Sequence, residues 1–223
     1  MLIGPSGNRG IGHVGSNSLQ EIALHPLRAM GVDVSTIRSI KNQATGVSVI
    51  IVPPNGRKGM MLAPNANGIW SKEDEELVRY AIQSAPPGSV LSVDLEVPLS
   101  IVKQVVRQSE ECGMPIVLDP SPAERLDEEL LEADCYLTPN QSEAQRLTNI
   151  PIDTHDQALE AAKRLMKHGK RSLRKTGNRG MRDSHKGRSV CHLRSRGRGG
   201  GYHRSGRCIC GSIQCGDSGT STP

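Results

Sequence analysis

The feature that most limits what this chain can fold into is a change of residue grammar near Gly169. Residues 1–169 alternate apolar runs of strand length with amphipathic stretches of helical spacing. Residues 170–223 hold five Ile, Leu or Val in 54 positions, too few to cover a sheet or a helix face. Charge divides at the same place. The tail has thirteen Lys/Arg against two acids (Asp183, Asp217), or +11, and the body fifteen against twenty-one, or −6, so the overall +5 describes neither part. The chain therefore reads as one domain, 1–169, with a basic Gly/Arg-rich appendage, 170–223, expected to be disordered or irregular.

Composition narrows the class further. There is no Phe and aromatics are 2%, so the core must be aliphatic. No apolar run approaches the roughly 20 residues that cross a bilayer, and Met1 to Gly7 lacks a charged, then apolar leader. A cytoplasmic protein with no membrane association is expected. In that setting Cys112 and Cys135 read as free thiols. Cys191, Cys208, Cys210 and Cys215 lie in the tail beside His192 and His203, but their spacing lacks the paired pattern of zinc modules, so no metal site is assigned.

Along the body, Leu19, Ile22, Ala23, Leu27 and Met30 have helical spacing, with Pro26 expected to kink or shorten that helix. Gly46–Val52 reads as a strand, Pro53-Pro54-Asn55-Gly56 as a turn and Met60–Leu62 as the returning strand of a β-hairpin. Ser71 and Asp74 form a capping-box pattern ahead of a helix over 75–84. Strands are expected at 90–95, 115–118 and 135–137. Helices are expected at 99–109, 127–133 and 141–147, with a last one capped by Asp153 or Thr154 and ending at His168-Gly169. This alternation predicts βαβ units and a mostly parallel sheet. Ligands of such sheets sit beyond the carboxyl ends of the strands. Asp94 with Glu96, Asp119, and Asn140 with Glu143 all follow strand signals, which predicts one polar rim. Loop solvation and helix capping are the alternative reading of the same residues.

Six segments in order resemble the ribokinase branch of the phosphofructokinase-B (PfkB) carbohydrate kinases. Gly12-His13-Val14-Gly15 is similar to its Gly-x-Val-Gly loop, and Gly31-Val32-Asp33-Val34-Ser35 to the link after its first covering helix. Ala44-Thr45-Gly46-Val47, with the hairpin to Ala63-Pro64-Asn65-Ala66-Asn67, resembles its Thr-Gly strand and Pro-Gly-Ala-Asn turn. Asp94-Leu95-Glu96-Val97-Pro98, Leu118-Asp119-Pro120-Ser121-Pro122-Ala123 and Pro139-Asn140-Gln141-Ser142-Glu143-Ala144 resemble its Gln-Leu-Glu-x-Pro, Leu-Asp-Pro-Asn-Pro-Ala and Asn-x-x-Glu segments. The likeness covers Gly10 to Gly169. It implies a three-layer α/β/α fold with a mostly parallel sheet and a β-hairpin, here incomplete, and ATP-dependent phosphorylation of a sugar hydroxyl. It implies that Glu96 binds the sugar, ribose or a relative. It also implies that Asn140 and Glu143, with Asp119 in the same region, serve the Mg²⁺ and phosphates of ATP; a homodimer is a separate expectation.

The sequence departs from that family at both ends. Its opening strand and Gly-Gly-x-x-Asn segment are not supplied by Gly4 to Gly10, so a chain truncated at the front is expected. The Gly-Ala-Gly-Asp motif, whose Asp is the family's general base, is absent, so no catalytic residue is assigned. A shift of reading frame near Gly169–Arg171 accounts for the tail. Codons chosen for His203–Cys210 read one base later as Thr-Gly-Ala-Gly-Asp-Ala-Tyr, and those for Arg174–Arg182 read in the same phase as Val-Lys-Leu-Gly-Thr-Glu-Gly-Cys. Gly, Arg and Cys codons carry G in the middle, so a Val/Ala/Gly/Asp-rich segment read out of phase becomes Gly/Arg/Cys-rich. The expectation is a sugar kinase by descent, inactive as this literal chain. The alternative is a non-catalytic kinase-fold remnant whose basic arm, with its Arg196–Gly201 run, binds RNA. On the first reading, nucleic acid meets the tail only through incidental charge.

Overall fold

Buried apolar runs set the sheet. In a computed structural model, residues 1–54 and 59–165 are described in full, with the backbone of 171–175 and 181–183. The elements are β1 (Leu2–Gly4), β2 (Gly7–Arg9), β3 (Gly12–Gly15), α1 (Leu19–Ala29), β4 (Val32–Asp33), β5 (Ile37–Ile40), β6 (Val47–Ile51), β7 (Gly59–Ala63), α2 (Lys72–Gln83), β8 (Val90–Asp94), α3 (Leu99–Glu111), β9 (Ile116–Asp119), α4 (Glu128–Glu132), β10 (Cys135–Leu137), α5 (Gln141–Thr148), α6 (His155–Leu165), β11 (Arg171–Lys175) and β12 (Met181–Asp183), with 3-10 turns at Asn65–Gly68 and Ala123–Arg125. The main sheet has the order β12-β11-β10-β9-β8-β1-β2-β4. Strands β8 to β11 are parallel, β1 is antiparallel to both of its neighbours, and β12 is antiparallel to β11. This is the expected α/β class with a mostly parallel sheet.

Leu91, Ile116, Leu118, Cys135 and Leu137 alternate inward along β8 to β10 and pack on Val78 and Ile82 of α2 and on Ile101, Val102, Val105 and Val106 of α3. Each fully buried aliphatic side chain contributes about 1.5–3 kcal/mol. Ala144, Ile152, Ala158 and Ala161 form a second, smaller cluster between α5 and α6. Burial pushes the Cys135 thiol up to about 12, which keeps it protonated and inert. Cys112 is exposed, and both cysteines are unpaired.

Four features differ from the sequence expectation. First, the sheet begins before Gly12: Leu2 and Ile3 are buried and pair with Leu91 and Val90 of β8. Three-residue strands are too short to show a period. Second, Gly12–Gly15 is a strand and not a loop, because its backbone pairs in parallel with β5, whatever its side chains. Third, Pro26 does not break α1. The helical bond it removes belongs to the carbonyl of Ile22, on a face exposed enough for water to replace it. Fourth, two strands lie beyond Gly169, with Tyr136 and Leu137 of β10 in register with Arg171 and Ser172 of β11. Main-chain hydrogen bonds make no demand on side chains, so an open edge accepts even Arg-Ser-Leu-Arg-Lys. The Asn55-Gly56 turn, the His168-Gly169 helix end and the tail from 184 lie outside the described residues.

Helix α2 starts a turn earlier than expected. Ser71 accepts from the Asp74 amide and Asp74 accepts from the Ser71 amide, a reciprocal cap that satisfies two free donors. The hairpin β6–β7 pairs Val47 with Ala63 and Ile51 with Gly59. It forms its own two-stranded sheet, as does β3–β5. Val49, Ile50, Val52 and Met61 on the hairpin arm are all more than half exposed.

Candidate functional site

Strands β8, β9 and β10 end at one level. Asp94 is in register with Asp119, Leu118 with Leu137, and the Thr138 amide donates to the Leu118 carbonyl at 2.9 Å. With strands about 4.8 Å apart, the three chain exits lie within about 10 Å of one another. This is the edge at which open α/β sheets take their ligands.

Glu96 is held here by local chemistry. Its amide donates to Asp94 Oδ1 at 2.9 Å, an Asx turn that curls the chain straight after the strand. Leu95 is fully buried, and its amide donates to the Ser121 carbonyl at 3.1 Å. Arg125 Nη2 donates to the Val97 carbonyl at 2.8 Å from the 123–125 turn, closing the loop on its far side. Burial pushes the Glu96 carboxyl above its ordinary value, and the negative charges of Asp94 and Asp119 push it the same way. The structure thus brings Asp94, Glu96 and Asp119 into one electrostatic neighbourhood.

Asn140 follows β10 and caps α5. Its Oδ1 accepts from the Glu143 amide at 3.0 Å and from the Ser142 hydroxyl at 2.8 Å. Glu143 Oε2 accepts from the Asn140 amide at 2.7 Å, and Asn140 Nδ2 donates to Glu143 Oε1. The pair is therefore a complete capping box at a helix start on the rim. Among the described residues no three His, Cys, Asp or Glu side chains converge to hold a metal ion.

Two groups escaped the sequence reading. Arg125 gave no motif signal, since its role depends on a carbonyl 28 positions away. The other is a cluster around the buried Asp74 carboxylate. Asp74 Oδ1 lies 3.1 Å from His13 Nε2 and also accepts from Arg38, while the His13 ring stacks at a tilt on Trp70, centroids 4.4 Å apart. A carboxylate only accepts, so Nε2 carries a proton. His13 Nδ1 is buried without a partner. Burial raises Asp74, but the Ser71 backbone amide and hydroxyl, and then His13, outweigh it and hold the carboxyl below its ordinary value. Here β3, β5 and α2 are tied at a single carboxylate.

The pattern that defines the pfkB family carbohydrate kinases matches residues 9–195. The chain belongs to that family. The match runs past Gly169, in keeping with the placement of β11 and β12. The ribokinase of Haemophilus influenzae is 30% identical over 177 residues, covering 79% of this chain and 57% of that protein. That of Arabidopsis thaliana is 31% identical over 157 residues, covering 67% of this chain and 40% of that one. The solved structure of Arabidopsis thaliana ribokinase complexed with ribose and ATP superposes with a TM-score of 0.64 at 26% identity, over 83% of this chain and 60% of that chain. This pfkB chain thus spans between 40% and 60% of the length of these ribokinases. No helix among its described residues is long and apolar enough to cross a membrane.

Proposed function

We propose that the chain derives from an ATP-dependent sugar kinase that transfers a phosphoryl group from Mg-ATP to a hydroxyl of ribose or a related sugar. The observation that carries this reading is the common level of the β8, β9 and β10 ends, with Glu96, Asp119 and the Asn140–Glu143 pair on one rim. Glu96 accepts a hydrogen bond from the sugar hydroxyl. Asn140, Glu143 and Asp119 serve the phosphate side. Their oxygen donors suit a hard cation that keeps several waters and bridges phosphates to one or two carboxylates. Bound magnesium supplies charge neutralisation during transfer.

The literal chain is proposed to be inactive, because no Gly-x-Gly-Asp occurs in its 223 residues and loss of a general base alone costs about 10²–10⁴-fold. Residues 1–169 are proposed as the kinase-derived domain and 170–223 as an out-of-frame tail. On this reading the +11 charge of that tail attracts RNA only incidentally. ADP release should stay at background with ribose and Mg-ATP for the 223-residue chain. It should rise when the tail is read in the shifted frame. Turnover by the literal chain equal to that of the repaired one would overturn the proposal.

A homodimer is a second proposal, favoured by the isolated hairpin. Ile50 and Met61 are 62% and 64% exposed on a two-stranded ladder, a unit of marginal stability alone. Light scattering should show a dimer that Ile50→Lys dissociates. A monomer at tens of micromolar for the unsubstituted chain would exclude it.

A further inference from the structure

Leu95, Glu96 and Val97 leave the end of β8, and each is held by one backbone group. The Leu95 amide donates to the Ser121 carbonyl at 3.1 Å, the Glu96 amide to Asp94 Oδ1 at 2.9 Å, and the Val97 carbonyl accepts from Arg125 Nη2 at 2.8 Å. Leu95 is fully buried, so packing also fixes the chain on that side of Glu96. On the other side the tie is the Arg125 guanidinium. The Glu96 carboxylate itself accepts no hydrogen bond from any described residue. The loop is thus satisfied along its backbone and leaves the Glu96 acid open.

The donor stands on a firm seat. Ala123 is buried and Leu126 packs on the main core. The Arg125 and Leu126 amides donate back to the Pro122 and Ala123 carbonyls at 3.1 and 3.2 Å. Glu124, next to Arg125, pairs with Arg146 of α5, the helix capped by Asn140 and Glu143. One turn therefore touches both halves of the rim, and its two ties differ in weight. Glu124 and Arg146 are more than half exposed, and an exposed ion pair is worth little. The Arg125 bond is partly buried and comes from a charged donor, so it is the stronger.

We propose that Arg125 is a positioning residue: by holding the Val97 carbonyl it sets where the Glu96 carboxylate stands beside Asp94 and Asp119. Its meaning for function rests on the reading of Glu96 as the sugar-binding group. A hydroxyl then meets an acceptor already in place, and less ordering is needed on binding.

The test uses the 223-residue chain and needs no turnover. Carbon-13 NMR follows the titration of the Glu96 carboxyl, which burial, Asp94 and Asp119 raise above its ordinary value of 4.5. Arg125→Met keeps most of the stem and removes the donor. The loop then slips toward water, so the Glu96 midpoint should fall toward 4.5 and exchange of the Leu95 amide should quicken about tenfold. Asp94→Asn keeps an acceptor for the Glu96 amide and removes one charge. It should lower the midpoint without quickening Leu95. If Arg125→Met does not fold, the unsubstituted chain decides: a bonded guanidinium rotates slowly and should give separate nitrogen-15 signals for its two Nη atoms, and one averaged signal would overturn the proposal. A merely structural role would lower the melting temperature and leave the midpoint in place. An unchanged midpoint in Arg125→Met would overturn the proposal, as would a rise, the effect of losing a cation alone. Absence of turnover in the chain read in the shifted frame would remove the kinase reading and leave these readouts as they stand.

Discussion

The β8–β10 rim and the β6–β7 hairpin are both runs of Val, Ile, Leu and Met, yet they meet opposite fates. In the rim strands Leu91, Ile116, Leu118 and Leu137 are buried beneath α2 and α3. In the hairpin Val49, Ile50, Val52 and Met61 stand in solvent. Hydropathy marks both as strands and says nothing of which one finds a cover. The difference lies in connectivity. Each rim strand is followed by a helix that packs back on the sheet, whereas β6 is followed by β7, which can only pair with it. The rim strands lie over a packed core, and the hairpin is an apolar arm that pairs only within itself.

The largest effect should come from the cluster that ties β3 and β5 to α2. Asp74→Ala leaves His13 and Arg38 without their shared carboxylate and should cost about 3–5 kcal/mol in urea unfolding. The Asp74 carboxyl is held below its ordinary value of 3.8. Its contribution is therefore fully present above that value and lost as pH falls through the lower folded value. Asp74→Asn should abolish that part of the acid dependence, and an unchanged acid limb would show that the cluster does not brace the small sheet.

The core contrast itself comes next. Leu118→Ala, at a fully buried site, should cost about 2–5 kcal/mol. Ile50→Ala, on the arm, should stay within about 0.5 kcal/mol at concentrations where the chain is monomeric. Equal losses would mean that the arm is covered in solution.

Smaller effects probe the rim. Arg125→Ala frees the Val97 carbonyl and should cost about 1.5–3 kcal/mol, the range for a hydrogen bond from a charged group. Amide exchange should rise in the Glu96–Val97 loop and not in the hairpin. Glu96→Gln should be the mildest. The Glu96 carboxyl is raised by burial and by Asp94 and Asp119. Its neutral form is thus the one the fold favours. The stability it lends is complete below the ordinary value of 4.5 and lost as pH rises through the folded value. Glu96→Gln should gain up to about 0.5 kcal/mol at pH 7 after solvent screening, and nothing at pH 3. A loss at pH 7 would mean that the carboxylate has a partner worth more than its burial costs.

What the sequence determined by itself was local. Alternating apolar runs marked β8 to β10 and the hairpin, and Ser71 with Asp74, and Asn140 with Glu143, marked helix starts, because period and capping are written within a few neighbouring residues. The order of polar residues after strand ends marked the rim, since parallel strands joined by helices must end on one side. Tertiary structure alone decided the rest. Leu2–Gly4 and Arg171–Lys175 are strands because sheet edges beside β8 and β10 accept any backbone with free donors and acceptors. Asp74 meets His13 and Arg38, Thr45 meets Asn17, and Arg125 meets Val97, across 28 to 61 positions, through contacts that exist only once the chain has closed on itself. Periodicity carries no information about such pairs, because their energy depends on burial and direction, and both are properties of the folded chain.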